Sequence, residues 1–219
     1  MTKFAFILLL LPFCSFSQHE EMVWATMGVK GEVTKKIDWG TEFTSRIGNS
    51  KIETYFGQVS LKYKVNKWFR PSIDYRAISN LDNYQNYQFS NRVNMNAEFK
   101  HPLNRFSFGI RIRYQISFSS IKSTPNYNAD FDHAIRIKPQ IGYKMKGFFL
   151  NPQVSLEYFY DPNSGIYGNR FVKYRLFAGF QTDFKGSHNF TFGYLQDQKI
   201  NLPNPLRKNI FYVSYTYTL

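Results

Sequence analysis

The stretch at residues 105–117 alternates without interruption between two kinds of side chain. Its even-numbered positions, from Phe106 to Ile116, are apolar, and its odd-numbered positions are polar or glycine. Because successive side chains of a β-strand point to opposite sides, this pattern predicts a strand with one apolar and one polar face. The contrast recurs along the chain with no helical pattern to cover the apolar faces. It is typical of outer-membrane barrels, which are apolar outside and polar inside.

Eleven segments of the chain share this alternation. They cover residues 22–33, 37–47, 55–65, 68–78, 91–100, 105–117, 134–144, 148–159, 170–184, 188–198 and 209–219. The connections alternate between short and long. Short ones lie at residues 34–36, 66–67, 101–104, 145–147 and 185–187, and longer ones lie at 48–54, 79–90, 118–133, 160–169 and 199–208. Short turns at one end and long loops at the other are the pattern of outer-membrane barrels.

The sequence therefore predicts an all-β fold, namely a closed antiparallel transmembrane β-barrel of about 10–12 strands. Bacterial single-chain barrels have even strand numbers, so eleven segments imply that the first is incomplete or that one strand is unrecognised. Pro71, Pro139 and Pro152 fall inside segments, where each removes a hydrogen-bond donor, and we expect β-bulges there. Pro139 and Pro152 come out nearly opposite each other, which predicts a shared gap in the pairing.

Away from the segment ends, the apolar parity contains no Asp, Glu, Lys or Arg. A shift of the sixth segment by one residue would move Arg111 and Arg113 into lipid, and each lipid-facing arginine would destabilise the barrel by roughly 2–4 kcal/mol. Outward aromatic residues form two bands, as membrane interfaces favour. Near the short turns lie Trp39, Phe69, Phe99, Phe106, Tyr143, Phe184 and Phe190, and near the long loops lie Tyr55, Tyr75, Tyr114, Tyr158 and Tyr174.

The amino-terminal residues predict export. Lys3 is followed by an apolar stretch at residues 4–13 and by a small-x-small cleavage site at residues 15–17. Residues 1–17 therefore read as a cleaved signal peptide and residues 18–219 as one barrel domain in the cell outer membrane. A lipoprotein signal that uses Cys14 is the alternative. Cys14 is the sole cysteine, so the mature chain would have no disulfide or thiolate site, and no motif indicates a metal or a cofactor.

The charge and the aromatic content raise the question of nucleic acid. The chain has a formal net charge of +13 and 19% aromatic residues. However, its aromatic and basic residues lie on opposite faces of the same segments, whereas a surface that stacks on bases needs them on one face. The sequence therefore argues against a nucleic-acid partner.

Basic residues concentrate on the inward face at one height near the mouth on the long-loop side. Counted from the nearest short turn, six inward arginines lie about nine or ten residues along, and they are Arg46, Arg76, Arg92, Arg113, Arg136 and Arg175. Glu157 and Asp197 share this height, and Asp74 lies one step deeper. We call the six arginines the arginine belt.

Three functions compete for this arrangement. In the first, the arginine belt pairs with Asp74, Glu157 and Asp197 and fills the lumen with salt bridges, which is a structural or interaction role. In the second, surplus positive charge selects a small anionic solute, as in a narrow anion-preferring channel or solute-binding porin. In the third, His133 with Ser119 or Ser120 forms a lipid-hydrolase site, but no outward carboxylate is placed to orient the imidazole. The sequence therefore predicts no catalytic residues.

Two resemblances concern the chain as a whole. The run Phe211-x-Val213-x-Tyr215-x-Tyr217-x-Leu219 resembles the carboxy-terminal signal of outer-membrane barrels, which implies the barrel-assembly machinery as a partner. A second set of motifs comprises Trp24, the strand end at Arg46, Asp74-Tyr75-Arg76, Arg111-x-Arg113-Tyr114, and Asn151-Pro152 leading to Glu157. Their order resembles the outer-membrane family called domain of unknown function 2490. That resemblance implies a barrel in contact with membrane lipid and implies no activity.

Overall fold

The computed structural model describes residues 19–82, 84–119, 132–163, 168–182, 187–201 and 205–219. Within these residues the chain forms eleven β-strands. They are β1 (His19–Thr34), β2 (Ile37–Gly48), β3 (Lys51–Tyr63), β4 (Phe69–Leu81), β5 (Tyr87–Leu103), β6 (Phe106–Ser119), β7 (Asp132–Tyr143), β8 (Leu150–Asp161), β9 (Arg170–Thr182), β10 (His188–Lys199) and β11 (Arg207–Thr218). The expected signal peptide lies outside the described residues.

No helix in the described ranges is long and apolar enough to cross a membrane.

The sheet closes on itself into a barrel, which confirms the predicted fold class. Each strand pairs antiparallel with its neighbours in sequence, and β1 closes the barrel against β11 in parallel, from His19 opposite Arg207 to Lys30 opposite Thr218. The expectation of an even strand number is wrong, because the first segment is a full strand of 16 residues. An odd number leaves the first and last strands running in the same direction, so the closing pair must be parallel.

Closure defines two ends of the barrel. The turn end carries the connections at residues 35–36, 64–68, 104–105 and 144–149, and the loop end carries those at residues 49–50, 82–86 and 162–169. Because β1 starts and β11 ends at opposite ends, His19 lies at the loop end and Thr218 at the turn end. The longest predicted loop, residues 118–133, lies almost wholly outside the described residues.

The predicted long connection at residues 48–54 is wrong. Asn49 and Ser50 alone join β2 to β3, with φ angles of 49° and 61°. Two successive positive φ angles are the signature of a type I′ turn, which matches the twist of a hairpin. The residues beyond Ser50 are therefore free to continue the ladder as β3.

The connection between β4 and β5 is also shorter than predicted, and Asp82 organises it. Its carboxylate accepts hydrogen bonds from the backbone amides of Asn86 and Tyr84, each at 2.8 Å, and from the Gln88 side chain at 3.0 Å. These bonds, above all the one from the Asn86 amide, hold the pKa of the Asp82 carboxyl below its ordinary value. The carboxylate thus serves as a cap for the turn.

The three prolines are accommodated without β-bulges, which corrects the sequence expectation. Pro71 pairs with β5 but lies one residue beyond the β3 ladder, and Pro152 pairs with β9 but lies one residue beyond the β7 ladder. Pro139 pairs with β6, and the β7–β8 pairing is interrupted around it. Each proline thus lies at a position where one of its two neighbouring strands is not paired with it, so its missing N–H breaks no hydrogen bond on that side. Pro139 and Pro152 do not share a gap.

The outer surface of the barrel is apolar, as the alternation predicts. Each strand presents at least one large hydrophobic side chain that is exposed. Examples in strand order are Met27, Phe43, Val59, Ile73, Met95, Ile110, Ile141, Val154, Leu176, Tyr194 and Phe211. Such a surface, extending around a whole barrel, is far larger than the apolar patches of soluble monomers.

Outward aromatic residues pair across neighbouring strands at both ends of the barrel. At the turn end, the ring centroids of Phe69 and Phe99 are 4.8 Å apart. At the loop end, those of Tyr158 and Tyr174 are 6.5 Å apart. These contacts join strands within the two predicted bands, whose member Phe184 lies outside the described residues.

The interior is not uniformly polar, contrary to the simple alternation. A buried apolar cluster lies beside the parallel β1–β11 pair, which we call the parallel seam, and consists of Met22, Trp24, Phe177, Leu195 and Ile210. The Phe177 ring also packs edge-on against Tyr212, with centroids 5.7 Å apart. This cluster fills part of the lumen with hydrocarbon, although Arg175 and Asp197 lie on the same strands as Phe177 and Leu195.

Gly179 and Gly193 make this packing possible. They lie opposite each other on β9 and β10, and the Phe177 ring lies over both. A Cβ on Gly193 would come within 2.5 Å of the Gly179 Cα and 3.0 Å of Phe177 Cε2. The two glycines therefore provide the space that an aromatic side chain needs inside the barrel.

Replacing Gly193 with Ala should destabilise the barrel by about 1–3 kcal/mol, because the new methyl group overlaps backbone atoms that cannot move freely. The measurement is the urea midpoint of unfolding in detergent, followed by the mobility difference between folded and boiled protein. Gly57→Ala is the matched control, since a Cβ there meets nothing within 4 Å. Equal midpoints for the two variants would contradict this account of the packing.

Candidate functional site

The lumen contains a cavity of about 670 Å³. Its lining runs from Asp132 and Asp161 near the loop end to Lys62 and Gln140 deeper in the barrel. All six residues of the arginine belt line it, so the structure brings together residues that the sequence placed at one height. Ten Lys and Arg residues line the cavity, against six Asp and Glu residues, so the described lining carries excess positive charge.

Glu157 is the centre of one ion-pair network. This residue is 3% exposed, and its carboxylate receives Arg136 Nη2 at 2.7 Å and Arg136 Nε at 3.1 Å. Arg111 Nη2 lies 2.7 Å from the same carboxylate, and Arg175 Nη1 lies 3.6 Å from it. One acidic side chain on β8 thus binds guanidinium groups from β6, β7 and β9.

Asp197 and Asp74 extend this bracing to other strands. Arg175 Nε and Nη2 donate to Asp197 at 3.0 and 2.5 Å, across the β9–β10 pair. Asp74 on β4 lies 3.0 Å from Arg113 Nη2 and accepts a hydrogen bond from Asn96 at 2.9 Å. All three predicted acidic partners are therefore bound by arginines of the predicted belt.

The arginine belt is divided, since Arg46, Arg76 and Arg92 form no ion pair with any carboxylate that the structure describes. Arg76 donates to the neutral Gln58 Oε1, with its Nε at 3.0 Å, and Arg92 Nε donates to Ser117 Oγ at 3.0 Å. Arg46 instead places its guanidinium carbon 4.0 Å above the Trp24 ring. The salt bridges that the sequence predicted for the arginine belt thus involve Arg113, Arg136 and Arg175 only.

The sequence reasoning missed the aromatic residues that stack with these arginines. Trp24, Phe56 and Phe159 all point inward, and each lies within 4.3 Å of a guanidinium carbon of Arg46, Arg76 or Arg136. A cation over the face of an aromatic ring is stabilised by the ring quadrupole. Their inward parity was readable in the sequence, because each lies on the same face of its strand as the polar residues.

Like charges lie directly opposite each other at several positions in the sheet. Arg113 faces Arg136 across β6 and β7, and their charges are offset by Asp74 and Glu157. Arg76 faces Arg92 across β4 and β5, and these two side chains donate to the neutral Gln58 and Ser117. Opposed like charges destabilise a sheet, so the Arg76–Arg92 pair is the less compensated of the two.

The remaining predicted residues do not belong to the arginine belt or its acidic partners. His133 Nδ1 is 2.8 Å from Tyr114 Oη, and the two rings stack on the outer surface at the loop end. The Ser119 side chain and Ser120 lie outside the described residues. The predicted carboxy-terminal signal lies on β11 from Phe211 to Tyr217, and beyond the strand the Leu219 amide donates to Lys30 O at 2.9 Å. No group of three His, Cys, Asp or Glu side chains suited to a metal occurs in the described ranges.

Replacing Arg113 with Gln should cost about 3–5 kcal/mol of unfolding free energy, because it leaves the buried Asp74 carboxylate without its cation. Arg76→Gln is the matched comparison and should cost much less. It removes a charge that no described carboxylate binds and relieves repulsion from Arg92. Urea unfolding in detergent measures the free energy of unfolding of both variants. Equal losses of this free energy would contradict the division of the arginine belt.

Comparison with known proteins identifies one family. The family described as "Protein of unknown function (DUF2490)" matches residues 21–207. No curated protein and no solved structure matches the chain.

Proposed function

The chain belongs to the DUF2490 family of proteins of unknown function, and we propose that it is an integral outer-membrane β-barrel whose lumen is braced by buried ion pairs. The observation that carries the proposal is the closed barrel with its continuous apolar exterior. In lipid, only a helix or a closed barrel satisfies every backbone hydrogen-bonding group. The paired aromatic residues at both ends suit the two interfaces of a bilayer.

The route to this membrane follows from the two ends of the chain. Residues 1–17 act as an export signal that is removed, and the assembly machinery binds the carboxy-terminal signal formed by Phe211, Val213, Tyr215, Tyr217 and Leu219. The loop end faces outward and the turn end faces the periplasm, as in other outer-membrane barrels. Because β1 starts at the loop end, His19 lies on the outer side of the membrane.

The bracing role follows from where the carboxylates lie. Glu157, Asp197 and Asp74 bind arginines from three strands, β6, β7 and β9, so the ion pairs join neighbouring parts of the wall from β4 to β10. Removing one partner of such a buried pair is strongly destabilising. We do not assign catalysis to the barrel, since His133 binds Tyr114 and contacts no carboxylate in the described ranges.

An arginine at Ile112 tests the membrane assignment. This outward side chain of β6 is 43% exposed, so a soluble barrel would tolerate a charge there. In a membrane, Ile112→Arg should cost roughly 2–4 kcal/mol and lower the amount of folded protein in the outer-membrane fraction.

The matched control is Tyr84→Arg, which adds the same charge in the β4–β5 connection, at a residue that is 86% exposed. Its folded yield in the outer-membrane fraction should equal that of the wild type. Recovery of the wild type as a soluble periplasmic protein, with Ile112→Arg as stable as the control, would overturn the assignment.

A second candidate function is a narrow anion-preferring passage, which the unfilled cavity and its excess of basic residues favour. Rings of arginine and lysine select anions in pores. This function adds to the bracing role, because the cavity leaves open space beside the ion-paired side chains that line it.

Single-channel recording in a planar bilayer tests this passage. The wild type should conduct in small discrete steps that favour anions over cations, because the unpaired arginines concentrate anions in the lumen. The double change Arg76→Gln and Arg92→Gln should reduce that preference, whereas Lys51→Gln, at an exposed position of the loop end, should not. A wild-type barrel that never conducts would exclude the passage and leave the bracing role intact.

A further inference from the structure

We propose that Arg46, Arg76 and Arg92, with Trp24 and Phe56, form a binding site for a small anion that carries two or more oxyanion groups. We call these five residues the arginine strip. The proposal deepens the second candidate function, since it rests on a lumen that admits anions. It names where in the lumen the anion is held and what its charge must be.

The side chains of the arginine strip form an alternating stack along the wall of β1 to β4. The Arg46 guanidinium carbon lies 4.0 Å from the Trp24 ring centroid and 5.2 Å from that of Phe56. The Arg76 guanidinium carbon lies 3.9 Å from the same Phe56 ring. Trp24 and Phe56 thus hold two guanidinium groups in fixed positions, and Arg92 faces Arg76 on the next strand.

Stacking leaves hydrogen-bond donors unused. A guanidinium that lies flat on an aromatic ring keeps its N–H groups at its edges, where they can bind an oxyanion. Arg46 Nε and Trp24 Nε1 are both buried, and neither has a hydrogen-bond acceptor in the described part of the chain. Buried donors without acceptors are rare in native proteins, so two beside each other point to an acceptor supplied by a ligand.

The charge of the site sets the charge of its ligand. No described carboxylate forms an ion pair with the three arginines, although carboxylates bind the other three arginines of the belt. Glu42 also lines the cavity, but it accepts its hydrogen bond from Gln58, at 3.4 Å. A ligand with one negative charge would offset one arginine only, so a di- or tricarboxylate or a polyphosphate suits the strip better.

The lumen has room for such a ligand. Its volume of about 670 Å³ falls within the range of about 300–1,000 Å³ that is typical of small-molecule sites. The lining reaches Asp132 and Asp161 near the loop end, so a ligand enters from that side. An arginine fork can bind a carboxylate or a phosphate in the same way, and the two sources must be distinguished by experiment.

Isothermal titration calorimetry on the full-length protein in detergent, at low salt, tests the site. Citrate or pyrophosphate should bind at one site per barrel and at least about tenfold more tightly than acetate, because charge-assisted hydrogen bonds add with each oxyanion. Tighter citrate binding would indicate a polycarboxylate ligand, and tighter pyrophosphate binding a phosphate ligand. Absence of binding by both probes to folded protein would overturn the proposal.

Variants distinguish specific binding at the arginine strip from general attraction of anions by the positive charge of the lumen. Arg46→Gln and Arg76→Gln should each weaken binding by about ten- to a hundredfold, since each removes a charged donor. Lys138→Gln is the matched control: it removes a charge from the cavity lining on β7, away from the arginine strip, and should change binding less than about threefold. An equal loss in Lys138→Gln would overturn the site in favour of such general attraction.

Folding and conduction are read separately from binding. The mobility difference between folded and boiled protein verifies each variant, and Arg92→Gln replaces any variant that does not fold. Binding in detergent together with an electrically silent barrel would leave the site standing and exclude the passage. Conduction without binding of either probe would exclude the site and leave the passage standing.

Discussion

Closure of the sheet on itself is the constraint on which the rest of this structure depends. Once β1 and β11 are paired, the alternation of each strand decides which side chains face the lumen and which face outward. Charged residues then meet one another in a confined interior, whereas Phe43, Ile110 and Leu176 remain exposed outside. The apolar exterior and the charged interior are thus two consequences of one geometric fact.

Confinement makes the lumen's charges interdependent. The carboxylate of Glu157 binds Arg136 and Arg175 on the two strands that flank β8, and it also reaches Arg111 on β6, one strand farther along the wall. A flat sheet would expose most of these charges to water. Arg46 and Arg76 lie instead over the rings of Trp24 and Phe56 on adjacent strands. The arginine belt therefore has three members that carboxylates neutralise, whereas Arg46, Arg76 and Arg92 form no ion pair with a described carboxylate.

The parallel seam explains why apolar side chains gather on one side of the interior. Beside it, Met22, Trp24 and Ile210 from β1 and β11 meet Phe177 and Leu195 from β9 and β10. Their packing needs the space above Gly179 and Gly193, where any side chain would collide with backbone. Trp24 then belongs both to this cluster and to the stack under Arg46. The apolar cluster thereby supports one side of the polar cavity.

The sequence by itself determined everything that depends on a period of two. It predicted the strands, the apolar exterior, the height of the six arginines and the acidic residues that bind some of them, since each follows from parity and from counting along one strand. It did not predict that Asn49 and Ser50 make a two-residue turn, nor how the ladder is interrupted at Pro139, because these depend on local backbone angles. The contact of Glu157 with Arg111 and that of Asp74 with Arg113 join strands that are not adjacent. Only the tertiary structure decided them, because the number of strands and the curvature of the closed sheet set which side chains meet across the lumen.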